Sequence, residues 1–279
     1  MQTNVIFSIA KKEIMDNIRN KWIILVSVMF AVLTIAVSYF GSLQSQGWQD
    51  LGLTISGMES LVTLLVPIIA LMLAYATIIG EIERGSMNSL LSLSVTRFEI
   101  VVGKFLGLGS VLCFTILVGF GAAGLLIAAN VPNVNYVDYG IFLGATMLLG
   151  LVFLSVALCF STIFNKRSTA MGGAIFLWFL FNIILPIVFL GLLVASVDFN
   201  QIVEEQTVVA PGWYHILNLF NPSSVYSSIL DIAISPASSI PSMTPAPSWY
   251  SIGLLVGVLF LWIFIFFIIA LWRFQRKDI

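Results

Sequence analysis

Side chains able to do chemistry are few in this 279-residue chain, and they are scattered. It has one histidine, His215, and two cysteines, Cys113 and Cys159. One histidine excludes an H-E-x-x-H zinc centre, which needs two imidazoles on one helical face. Both cysteines fall inside apolar runs, where a free thiol behaves as a small hydrophobe, and two cysteines cannot build a disulfide framework. A copper path would cluster Met, Cys or His ligands, and the nine methionines are spread along the chain. The nearest approach to a phosphate-binding G-x-x-x-x-G-K-[ST] loop is Gly103-Lys104-Phe105, which lacks the upstream glycine spacing and the hydroxyl. Hydrolysis of ATP by this chain alone is not expected.

The carboxylates sort the remaining chemistry. Glu59 and Glu81 stand at the two edges of one apolar run, and no ionisable residue lies in the middle of any run. An ion-coupled carrier needs such groups inside the membrane to hold and release its ion. Their absence disfavours that mechanism, and any transport would draw its energy from outside the membrane segment.

The elements that must position these residues are membrane helices. Hydrophobic residues make up 59% of the chain and charged residues 9%, with a mean hydropathy of +1.06. A soluble domain of this size has roughly a quarter of its residues charged. Six runs approach or exceed the ~20 residues that cross a bilayer: Trp22 to Phe40, Ser60 to Ile79, Phe105 to Ala129, Gly140 to Phe164, Met171 to Val197 and Tyr250 to Trp272. Pro67 and Pro186 lie inside the second and fifth and are expected to kink them. The first run is too long for a signal-peptide core and ends without a small-x-small cleavage site, so it reads as a retained helix. Ahead of it, Val5 to Ile18 places Ile6, Ala10, Ile14 and Ile18 on one stripe, as an amphipathic helix at the interface does.

Orientation follows from the basic residues. Lys11, Lys12, Arg19 and Lys21 precede the first run, and Arg84, Arg97 and Lys104 follow the second. Lys166 and Arg167 lie between the fourth and fifth, and Arg273, Arg276 and Lys277 follow the sixth. These are all 12 Lys and Arg residues, and they occupy alternate segments only. The positive-inside rule puts those segments, and both termini, in the cytoplasm. The opposite side carries Asp50, Glu59, Asp138, Asp198, Glu204, Glu205 and Asp231 with no basic partner.

The expected fold class is therefore an all-α integral membrane protein of the cytoplasmic (plasma) membrane. It has six transmembrane helices, an N-terminal interfacial helix, a short cytoplasmic helix and a long outer loop. Residues 1–279 read as one domain: interfacial helix 1–21, first five helices 22–197, outer loop 198–249, last helix and tail 250–279. In the outer loop, Trp213 to Ile234 is apolar enough for two re-entrant pieces broken at Asn221-Pro222, and the Ser/Pro tract 235–248 reads as a connector. A pI near 5.8 gives no attraction to nucleic acid.

The most informative segment is the basic loop Gly80 to Glu99. Gly85-Ser86 can stop one helix and start another, in which Met87, Leu90 and Leu91 share a face at i, i+3, i+4 spacing. Such an apolar knob suits either a groove on a soluble partner or the membrane surface. Thr96 with Glu99 forms a capping box, so the next helix is expected to begin below the bilayer.

Read as G-E-I-E-R-G-S-x-x-x-L-L-S-x-x-V-T-R-x-x-x-x-x-G-K-x-x-G, the stretch Gly80 to Gly107 resembles the loop of type-2 ABC exporter permeases. More narrowly, it is similar to the permease of the nitrous-oxide-reductase maturation system, often described as a copper transporter. The resemblance implies two membrane subunits, a homodimer, working with two separate ATPase subunits that bind ATP and Mg, this chain holding no cofactor itself. It implies that Met87, Leu90, Leu91 and Leu93 enter the ATPase, and that Glu81, Glu83 and Arg84 brace a cytoplasmic gate. The translocation path would run along the dimer axis, with Thr63, Tyr75, Thr77 and Asn182 as candidate lining residues. An outer-surface accessory protein is a further candidate partner. A non-conducting anchor or immunity-type subunit remains the structural alternative, and an ion-coupled carrier the weaker one.

Overall fold

A computed structural model describes residues 3–18, 21–40, 51–92, 95–130, 135–196, 211–234 and 247–277. Leu93, residues 197–210 and the Ser/Pro tract 235–246 lie outside the described residues. Every regular element described is helical. In chain order these are α1 (Thr3–Ile18), α2 (Lys21–Phe40), α3 (Leu51–Ala74), α4 (Ile79–Glu83), α5 (Ser86–Ser92), α6 (Arg97–Asn130) and α7 (Tyr136–Ile163). Then come α8 (Arg167–Phe179), a π turn (Leu180–Ile184), α9 (Leu185–Ser196), α10 (Gly212–Asn218), α11 (Pro222–Ala233) and α12 (Ile252–Gln275).

Five stretches among the described residues are long and apolar enough to span a membrane: Thr54–Glu83, Arg97–Asn130, Tyr136–Ile163, Arg167–Ser196 and Ile252–Gln275. A shorter apolar helix, Ile24–Tyr39, corresponds to the first expected span. The second span begins earlier than hydropathy placed it, because Leu51 to Glu59 continues its helix and Thr54 donates to Ser38 Oγ of α2 at 3.1 Å. α3 runs through Pro67 without ending. Pro186 acts differently. It has no N–H, and its ring crowds the carbonyl of Asn182 four residues back; the π turn that joins α8 to α9 contains Asn182.

α7 is the central element and packs against α3, α6, α8, α11 and α12. Its buried face carries Phe142, Leu149, Val152, Phe153 and Val156, which meet Val66 and Ala70 of α3, Leu112 and Phe120 of α6 and Leu255 and Leu259 of α12 in one core. By contrast, α8, α9 and α12 expose Phe176, Ile187, Leu190, Phe264 and Ile268, the face an all-apolar helix turns to lipid.

The four basic segments meet at one end of the bundle, here called the basic end. Arg97 Nη1 donates to the carbonyls of Phe274 (2.7 Å), Gln275 (3.0 Å) and Lys277 (2.7 Å), capping the last turn of α12. Lys277 Nζ reaches Thr162 O at 3.0 Å and Phe164 O at 2.5 Å. Burial and the neighbouring Arg273 lower the pKa of Lys277 below the ordinary lysine value.

At the other end α10 and α11 fold back against the bundle. Asn221 is fully buried, accepts from Ser223 N at 3.0 Å and donates to Phe181 O of the π turn at 2.8 Å. Tyr226 meets Thr146 of α7 at 3.2 Å, and Tyr250 donates to Ser228 at 2.9 Å. His215 packs against Tyr250 with ring centroids 4.9 Å apart and the planes tilted by 57°, and burial lowers its pKa. Asn221→Ala removes the α11 cap and leaves the Phe181 carbonyl unpaired. It should cost about 1–3 kcal/mol, read as a lower Tm of the detergent-purified chain. Asn221→Asp, which keeps the cap but loses the donor, should fall between.

Candidate functional site

The informative loop is a chain of short elements set against the basic end. α3 stops at Ala74, and the backbone turns through Tyr75 to Ile78 before α4. That break frees amides that a continuous helix would have paired. Ser161 of α7 accepts from both, Ile78 N at 2.9 Å and Ile79 N at 3.1 Å, using the two lone pairs of one hydroxyl. Gly85 then takes φ +73°, which a side chain would strain, and its amide closes α4 on Ile82 O at 3.0 Å. α5 follows at once. The capping box read from Thr96 and Glu99 is formed: Thr96 N donates to Glu99 Oε2 at 2.9 Å, and Glu99 N to Thr96 Oγ1 at 3.3 Å.

The apolar face of α5 turns inward. Met87 is fully buried with Ile78 of the α3–α4 turn, Ile100 and Val101 of α6, Leu158 of α7 and Phe274 of α12, and Leu90 and Leu91 pack half-buried on the same cluster. Met87 is therefore an anchor of α5 and not a projecting contact. The physical reason is proximity: an i, i+3, i+4 face buries against the nearest apolar surface, and the bundle supplies one. The face left exposed is Asn88, Ser89 and Ser92.

Glu81, Glu83 and Arg84, the three residues expected at a gate, have separate partners. Glu83 Oε1 accepts from Arg167 N at 2.9 Å, tying α4 to the start of α8. Arg84 Nε donates to Gly80 O at 2.9 Å. Glu81 belongs to a buried ion cluster that the sequence reading missed. Lys104 of α6 is 1% exposed and donates through Nζ to Glu13 of α1 at 2.6 Å and to Glu81 at 2.9 Å. Lys12 stands 3.8 Å from Glu81 with its side chain more than half exposed, so it adds little. One ammonium thus joins α1, α4 and α6. Two signals pointed to it: Glu13 lies three residues after Ala10 of the apolar stripe, and Lys104 interrupts an apolar run beside a glycine.

Close approach of α1 to α6 makes the cluster possible. A Cβ added at Gly103 would lie 2.8 Å from Ile9 Cβ, and one at Gly107 would lie 2.8 Å from Ala10 O. The pair Gly140/Gly144, with the same spacing, faces open space. Spacing alone could not tell a working glycine pair from an idle one.

Beside the cluster lies a cavity of about 690 Å³ between α1, α2, α3 and α6. Tyr75 and Thr77 line it with Glu13, Glu81 and Lys104. The other two path candidates are elsewhere. Thr63 Oγ1 donates to Glu59 O at 2.9 Å within its own helix, and Asn182 accepts from Ser223 Oγ at 3.0 Å. Among the described residues, no three His, Cys, Asp or Glu side chains group as metal ligands would.

A family model described as "ABC-2 family transporter protein" matches residues 7–279. The chain is 34% identical over 267 residues to a probable ABC transporter permease protein NosY of Pseudomonas aeruginosa, covering 91% of this chain and 94% of that one. It is 38% identical over 233 residues to the protein of the same name from Stutzerimonas stutzeri, covering 81% of each. The match runs from α1 to the end of α12, which is the extent of the bundle, and the chain belongs to the ABC-2 family of transporter proteins.

Proposed function

We propose that this chain is the permease subunit of an ABC transporter, pairing with a second copy and with a separate ATPase that binds ATP and Mg. It spans the cytoplasmic membrane six times, α2 supplying the sixth span, with both termini in the cytoplasm. The observation that carries the reading is α5. It is a seven-residue helix held rigidly by Met87 against four other parts of the chain, with a polar face free for a soluble partner. Load applied to α5 passes through Ile78 to α3 and through the Glu13–Lys104–Glu81 cluster to α1 and α6. The ATPase-facing surface is then Asn88, Ser89 and Ser92, with the exposed edges of Leu90 and Leu91.

Relatives named as probable ABC permeases support the transport role, and a part in metalloenzyme maturation rests only on the resemblance of the Gly80 to Gly107 stretch. A second reading, mechanical action on an outer-surface protein without a conducted cargo, draws support from the Asn221–Phe181 and Ser223–Asn182 bonds. They tie α11 to the π turn of a long span, a device that moves outer helices with the bundle. Cargo flux into vesicles separates the two.

Co-purification tests the docking surface. The detergent-solubilised wild-type chain should retain a soluble ATPase in equal amount. Ser89→Arg, which touches only the exposed face, should lose it while membrane insertion is unchanged. Leu90→Asp should lose it too and also lower the Tm, because it charges the anchoring face. Retention of the ATPase by Ser89→Arg would mean that another surface docks.

A further inference from the structure

We propose that the cavity beside the ion cluster is a lipid site, taking one zwitterionic phospholipid with its phosphate on Arg84 and Arg167. Two arginines converge there. Arg84 Nε is bonded to the carbonyl of Gly80, and Arg167 Nε would lie 3.4 Å from a Cβ built on the same glycine. Neither guanidinium has a carboxylate within ion-pair distance among the described residues. The near carboxylate, Glu83, is engaged by the Arg167 backbone amide instead. Two like charges held over one glycine repel, and a phosphate matched to two guanidinium forks relieves that repulsion.

The remaining polar lining calls for a cation. Glu81 is 8% exposed and forms part of the cavity wall, yet its Oε2 has no hydrogen-bond partner. A buried carboxylate oxygen left unpaired is costly unless a ligand or water satisfies it. Asp16 also lines the cavity and has no basic partner among the described residues. The lining carries Glu13, Asp16 and Glu81 against Arg84, Lys104 and Arg167, so a ligand with no net charge but both signs fits best. The other half of the cavity is apolar, walled by Val26, Met72, Leu108 and Leu112 of three spans. Free phosphate would leave that half unfilled; an acyl chain fills it. The volume lies within the ~300–1,000 Å³ of ordinary ligand sites.

The test is native mass spectrometry of the full chain purified in mild detergent, delipidated and mixed with phosphatidylethanolamine. Wild type should retain one lipid per chain. Arg84→Gln with Arg167→Gln should cut the retained fraction about tenfold or more. Met72→Trp, which fills the apolar half without touching a charge, should cut it likewise, and monodisperse elution would show each variant folded. Phosphatidylglycerol, which lacks the ammonium, should be retained less. Three results would overturn the proposal: equal retention by all variants, displacement of the lipid by inorganic phosphate alone, or efficient cross-linking of Thr77→Cys between two copies, which would make the cavity an interface. The measurement uses the isolated chain, so its outcome is independent of ATPase coupling.

Discussion

Lys104→Met should destabilise the detergent-purified chain by about 3–5 kcal/mol, the usual cost of removing one partner from a buried ion pair. The ammonium it removes is 1% exposed and bonds to two carboxylates, Glu13 and Glu81, both of them buried. Neither has another strong partner: Lys12 is exposed and 3.8 Å from Glu81, and Glu81 Oε2 has none. Methionine keeps most of the volume, so the loss is one of charge and not of packing. The expected readout is a large fall in Tm together with protease sensitivity of α1. A triple variant, Lys104→Met with Glu13→Gln and Glu81→Gln, should recover much of the Tm, because no buried charge is left uncompensated. Coupling to the proposed ATPase should not return with it, since neutral amides bind α1 to α4 less strongly than a shared ammonium. Unchanged stability in the single variant would show that the cluster is solvated and carries no load.

Gly107→Val should be nearly as damaging by a different route. Any Cβ at this position lies 2.7 Å from Glu13 Cβ and 2.8 Å from Ala10 O, closer than real Cβ atoms come, and one of those contacts is backbone. A side-chain rotamer change cannot relieve it, so α1 must lift off α6. That displacement also pulls Glu13 from Lys104. Overpacking and the broken pair together should cost about 3–5 kcal/mol, again read as Tm. Gly144→Val is the matched control. The position faces open space on α7 and should change Tm little. Equal effects at the two positions would mean that α1 does not pack as described.

How much of this was legible in the sequence depended on whether the signal was local. Hydropathy located the long helices because a span is a contiguous run, and Thr96 with Glu99 announced the start of α6 because a capping box is complete within four residues. The division between α10 and α11 was legible for the same reason, since Asn221-Pro222 is a self-contained N-cap. Met87, Leu90 and Leu91 were correctly grouped on one face, but periodicity says only that a face is apolar, not whether a partner or the same chain covers it. The ion cluster was hidden by distance: Lys104 stands 91 residues from Glu13 and 23 from Glu81. Thr63 and Asn182 looked like Tyr75 and Thr77 as polar residues in spans. Only the third dimension separates those that line the cavity from those that bond to their own helix or to α11.

ATP turnover by the complex in lipid vesicles tests the permease reading most directly. Wild-type chain with its co-purified ATPase should hydrolyse ATP at a rate that depends on the chain's integrity, and Ser89→Arg, which loses the ATPase, should reduce that rate to background. Vesicles in which the chain purifies without nucleotide turnover, or takes up cargo without ATP in a manner abolished by uncouplers, would contradict the account.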